Sequence, residues 1–107
     1  MEGIELTALQ IISAVGNARS FYIEAMQEAR QGNIEKAQEL LQEGRESFTE
    51  GHQAHAGILS QEASGDPIEV RLLLMHAEDQ LMSAEGFGIM AREYIELAKV
   101  LKEKNCL

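Results

Sequence analysis

Apolar positions recur at intervals of three and four residues along most of the chain, and strand-like alternation is nowhere sustained. The first run carries Ala8, Ile11, Ile12, Val15, Ala18, Tyr22, Ala25, Met26 and Ala29 on one stripe. That spacing predicts an amphipathic helix over 4–31. A second helix is predicted over 34–63, with Ala37, Leu41, Gly44, Phe48 and Leu59 on one stripe, shared by His52 and His55. A third and longest helix is predicted from Pro67 to about Lys104. Two turn signals separate them. In Gln31-Gly32-Asn33, Gly32 suits the left-handed position after a helix and Asn33 suits the cap of the next. In Ser64-Gly65-Asp66-Pro67-Ile68-Glu69, Gly65 suits the helix end, Asp66 the next N-cap, Pro67 the first helical position and Glu69 the capping box. Short connections predict antiparallel neighbours. The expected fold is all-α, an antiparallel three-helix bundle forming a single domain over 1–107.

The third helix has apolar residues on two faces. One stripe is Val70, Leu73, Leu74, Ala77, Leu81, Ala84, Gly88 and Ala91, suited to packing on the first two helices. The other is Leu72, Met75, Asp79, Met82, Gly86, Ile89 and Met90. Three helices in one chain cannot bury both, so a further partner is implied, and closed symmetric self-association with the third helix inside is the economical form. Asp79 then sits in an apolar stripe, flanked by Met75 and Met82. A carboxylate buried there must be protonated, paired or metal-bound. Copies gathered at a symmetry axis would suit an oxygen-loving ion such as Mg²⁺. A solvent channel or a local hydrogen bond would satisfy it as well.

Composition narrows the function classes. The chain has 107 residues, with 18 acids against nine bases, and a net charge of −9. Nucleic acid and anionic membranes would be repelled, so neither is an expected partner. The one cysteine, Cys106, has no internal partner and fits a reducing compartment. No apolar run approaches a membrane span, and Met1-Glu2-Gly3-Ile4-Glu5 lacks the basic start of a signal peptide. The expectation is a cytoplasmic protein. Gly32-Asn33-Ile34-Glu35-Lys36-Ala37 is similar to the turn of tetratricopeptide-like hairpins, but the ~34-residue repeat that this would require is absent.

Three histidines are the candidate chemistry. A neutral imidazole is a nucleophile near pH 7 and can accept a group covalently. There is no Gly-rich phosphate loop or Walker-type lysine, so any phosphoryl group must come from another protein. Antiparallel second and third helices would set His52, His55 and His76 at similar heights. Near Glu50 they could instead form a transition-metal site. Packed or water-bonded histidines in a helical interaction module are the plainer alternative.

Leu72-Leu73-Leu74-Met75-His76-Ala77-Glu78-Asp79-Gln80-Leu81-Met82, preceded by Ala63-Ser64-Gly65, resembles the active-site helix of lactose/cellobiose-type enzyme IIA proteins of the sugar phosphotransferase system. Gly16-Asn17-Ala18-Arg19-Ser20 and Gly32-Asn33-Ile34-Glu35-Lys36-Ala37 are similar to that family too. The resemblance implies a homotrimer of three-helix subunits. It implies that His76 is phosphorylated by the histidine phosphocarrier protein and passes the group to a cysteine of enzyme IIB. Asp79 would match an axial aspartate, three copies of which bind one divalent ion, usually Mg²⁺. Where the family often reads His-Ala-Gln-Asp-His, this chain has Glu78 and Gln80. Gln80 can still donate a hydrogen bond to phosphate, though without positive charge, and His52 and His55 are further candidates for holding the phosphoryl oxygens. Glu78 points away from His76, since residues two apart do not share a helix face.

Overall fold

The computed structural model describes residues 3–107. Three helices make up the fold: α1 (Gly3–Arg30), α2 (Ile34–Ala63) and α3 (Leu72–Glu103), with no strand among the described residues. Met1 and Glu2 of the acidic opening segment lie outside the described residues. The bundle is a rod of 56 × 23 × 19 Å.

The register follows from named contacts. Arg71, before α3, lies 3.7 Å from Glu5 near the start of α1. Farther along, Arg19 of α1 meets Gln80 of α3, and Lys102 donates to the Gly32 carbonyl at 2.7 Å just past the end of α1. Gly51 of α2 sits against Val15, and Gly44 against Tyr22. Sequence number therefore rises together along α1 and α3 and falls along α2.

Small residues set the helix spacing. Ala8, Ala18, Ala25, Ala29, Ala37, Ala77, Ala84 and Ala91 are all fully buried, and only Ile11, Ile95 and Val15 among the larger side chains are sealed as completely. The Tyr22 ring is a wedge among them. A Cβ placed on Gly44 would stand 2.5 Å from Tyr22 Cε1, and one on Gly88 2.9 Å from Tyr22 Cζ. The ring is thus held from α2 and α3 at once and cannot retreat from either. Burial raises the Tyr22 phenol above its ordinary 10.0, with the Arg45 charge pulling the other way.

Both glycine turns form as expected: Gly32 has φ +86° and Gly65 φ +93°, values that glycine adopts without strain. Asn33 precedes α2, yet its side chain does not cap it; Nδ2 instead donates to Glu28 Oε2 at 2.7 Å. The start of α3 differs more. The capping box at Asp66, Pro67 and Glu69 does not form, and the helix begins at Leu72 behind an extended Arg71. The segment 66–71 instead spans the end of the bundle, placing Ile68 against the cluster of Ile11, Ile58 and Leu74. Burial of Ile68 outweighs a local cap, and β-branched Ile68 and Val70 give up little helix propensity by staying extended. Val70 is consequently exposed rather than part of the core stripe. In α2 the buried register runs through Leu40, Leu41, Gly44, Gly51 and Ile58, so Leu59 faces solvent and Ile58 replaces it in the core.

The second face of α3 is open in the single chain. Leu72, Met75, Met82, Ile89 and Met90 are all exposed, Leu72 at 79 % and Met82 at 71 %.

Gly44→Ala should destabilise the fold, because overpacking costs about 1–3 kcal/mol against a helix-propensity gain of at most ~1 kcal/mol. Gly57→Ala, with open space around its Cβ, should stabilise α2. Thermal unfolding at fixed protein concentration should shift down for the first and up for the second. Because the Tyr22 phenol is raised in the folded chain, its contribution is intact below pH 10 and is lost as pH climbs through the folded value. Tyr22→Phe should flatten that alkaline loss in urea titrations run from pH 8 to 11.

Candidate functional site

His76 lies on α3 with its side chain exposed. Ala77 and Leu81 point into the core and fix the helix rotation. With about 100° per residue, Gln80 falls near the same side of α3 as His76, whereas Glu78 falls nearly opposite. The observed contacts agree. On the α1 side, Arg19 Nη1 donates to Gln80 Oε1 at 2.7 Å in a partly buried bridge. On the α2 side, His55 Nε2 lies 2.6 Å from Glu78 Oε1, with the His55 side chain 14 % exposed. A carboxylate accepts, so the imidazole N–H donates there.

Two polar bridges therefore straddle α3. Gln80 and Glu78, the two positions set apart in the sequence, each meet a polar partner from a neighbouring helix. His55 is thereby tied to the flank facing α2, away from Gln80. His52, expected on the packing stripe, is exposed and has its ring 6.0 Å from that of Phe48 at an interplanar angle of 31°. The three imidazoles do not converge within one chain. Among the described residues no three His, Cys, Asp or Glu side chains come together as a metal site, so the transition-metal arrangement with Glu50 is not formed.

Asp79 points away from the core and is exposed in the single chain, next to the exposed Met75 and Met82. Its oxygens suit Mg²⁺, but among the described residues of one chain Asp79 is not part of any group of three ligating side chains. The donor fits the ion only where further copies contribute theirs.

Arg19 is the residue the sequence reading left without a role. Its signal was available: it is the only cation in residues 1–29, set beside the buried Ala18 and Tyr22. Which α3 residue it would reach depended on the helix register.

Comparison with known proteins bears on this arrangement. Residues 6–99 match the model of the family described as "PTS system, Lactose/Cellobiose specific IIA subunit". The chain belongs to that family. The lichenan-specific phosphotransferase enzyme IIA component of Bacillus subtilis is 37 % identical over 104 residues, covering 97 % of this chain and 94 % of the relative. The lactose-specific EIIA component of Staphylococcus aureus is 37 % identical over 98 residues, 92 % of this chain and 95 % of the relative. The crystal structure of the cellobiose-specific enzyme IIA from Bacillus anthracis superposes with a TM-score of 0.91 at 37 % identity, covering 97 % and 96 % of the two chains. Membership makes the chain a IIA component of a sugar phosphotransferase system, and the matched span includes Arg19, His76, Asp79 and Gln80. None of its described helices is long and apolar enough to cross a membrane.

Proposed function

We propose that this IIA component carries a phosphoryl group on His76, taking it from the histidine phosphocarrier protein and handing it to enzyme IIB during sugar uptake in the cytoplasm. The observation that carries the reading is the exposed His76 imidazole, one helical turn before a glutamine held in place from α1. An exposed nucleophile can meet two successive protein partners, which a buried one cannot.

The chemistry is an exchange between ring nitrogens. A lone pair of neutral His76 attacks phosphorus, the donor's P–N bond breaks, and the electron pair stays on the donor imidazole. In the second step a cysteine thiolate of enzyme IIB attacks phosphorus, and the His76 P–N bond breaks in the same way. No water enters and no net proton is needed in the first step, so catalysis rests on alignment and on stabilising the phosphoryl charge. Gln80 is the phosphate-holding residue within the chain. His52 and His55 belong to the other flank of α3, so a contribution from either comes from a neighbouring copy, and exposed His52 is the freer of the two.

The assembly proposed is a homotrimer of up-down-up bundles, with α2 antiparallel to α1 and α3, and α3 central. It would cover Leu72, Met75, Met82, Ile89 and Met90, which otherwise leave an apolar face in water. Three copies of Asp79 would then share one Mg²⁺, whose role is to neutralise their charge at the axis. The sugar is not contacted, since both exchange partners of His76 are proteins.

His76→Ala should abolish acceptance from the phosphorylated carrier while sedimentation still reports the wild-type assembly; phosphorylation retained at the wild-type level would contradict the assignment. Asp79→Leu should lose Mg²⁺ measured by elemental analysis and still assemble, because leucine suits an apolar stripe. Unchanged metal content in that variant would refute the axial carboxylate.

A further inference from the structure

Gln80 is a neutral amide with two different ends, and only one of them helps a phosphoryl group. Its NH₂ donates to phosphoryl oxygens; its carbonyl oxygen would repel them. A free glutamine side chain turns its terminal torsion readily and presents either end. Here it is not free. The Arg19 guanidinium has donors and no acceptor, so the atom that faces it must be the carbonyl oxygen, and Nη1 meets Oε1 at 2.7 Å. The amide NH₂ is thereby turned away from α1, with both hydrogens unused by any other described side chain.

Charge strengthens the case. No carboxylate of the described residues lies within ion-pair distance of Arg19, although the chain has 18 acids. The bridge is partly buried, where a hydrogen bond from a cation polarises the amide it meets and makes the amide N–H a better donor. Ala18 and Tyr22, both buried, fix the face of α1 from which Arg19 projects. Arg71 lies near Glu5, and Lys102 donates to the Gly32 carbonyl just past α1, so contacts on either side of residues 19 and 80 share one register.

We infer that Arg19 is a positioning residue for the phosphoryl group on His76: it locks the Gln80 amide with its NH₂ toward that group and relays positive charge through it. The inference rests on His76 being the phosphoryl carrier. Arg19 itself need not touch phosphate.

The test compares wild type, Arg19→Met, Arg19→Lys, Gln80→Met and the Arg19→Met/Gln80→Met double variant. Each is phosphorylated through the histidine phosphocarrier protein, and the half-life of the phosphohistidine is then measured. Removing a charge-assisted hydrogen-bond relay should shorten that half-life by about tenfold in Arg19→Met and in Gln80→Met. The double variant should be no worse than Gln80→Met, and Arg19→Lys should recover most of the loss. In nitrogen–proton spectra the Gln80 side-chain NH₂ should shift on phosphorylation of wild type and not of Arg19→Met, a readout that a purely structural arginine would leave unmoved. An Arg19→Met half-life within twofold of wild type overturns the inference, as does a double variant showing the product of the two single effects. If wild type takes no phosphoryl group while the carrier is phosphorylated under the same conditions, the phosphocarrier reading itself falls, and this inference with it. That outcome differs from a failure confined to Arg19→Met.

Discussion

The Tyr22 ring, clamped between Gly44 and Gly88, is the contact on which the rest of the bundle depends. α1 is flanked by both other helices, and its tyrosine touches each of them at a position where even a methyl group would collide. Around that point the core is mostly alanine, so the helix axes lie close together. Close axes leave little latitude in register: a shift of one turn would bring a side chain against the ring where hydrogen now stands. Gly51 against Val15 repeats the arrangement farther along the rod.

A fixed register is what gives α3 its chemistry. With Ala77 and Leu81 turned inward, the residues around them are sorted by helix geometry alone. Gln80 falls toward α1 and finds Arg19, Glu78 falls toward α2 and finds His55, and His76 and Asp79 are left facing outward. The polar bridges lie at the edge of the small-residue core, partly buried, and each joins α3 to a different neighbouring helix. Support on two sides and exposure on the third suits the proposed role of His76 in meeting one protein after another.

Much of this was legible in the chain itself. The three-residue and four-residue periodicity located every helix, and the glycines at 32 and 65 marked two helix ends. The start of α3 was not legible, because a sound local capping signal at Asp66-Pro67 competed with the burial of Ile68, and only tertiary packing decides such a contest. The swap of Leu59 for Ile58 has the same origin: two adjacent apolar residues differ by a rotation that neighbouring helices choose. At the site, His76 stood out by resemblance, whereas Asp79 was already conspicuous as a carboxylate in an apolar stripe. The bridges did not, since Arg19 and Gln80 are 61 residues apart and His55 and Glu78 are 23 apart. Helix geometry alone turns Glu78 away from His76 and leaves Gln80 an uncharged donor; which residues they meet depends on the neighbouring helices.

The proposal that His76 receives the phosphoryl group can be checked by incubating wild-type protein with phosphoenolpyruvate, enzyme I and the histidine phosphocarrier protein and mapping it by mass spectrometry at alkaline pH. A single phosphoramidate is expected, on the peptide containing His76. A phosphoryl group on His52 or His55, or none while the carrier itself is phosphorylated, would contradict it.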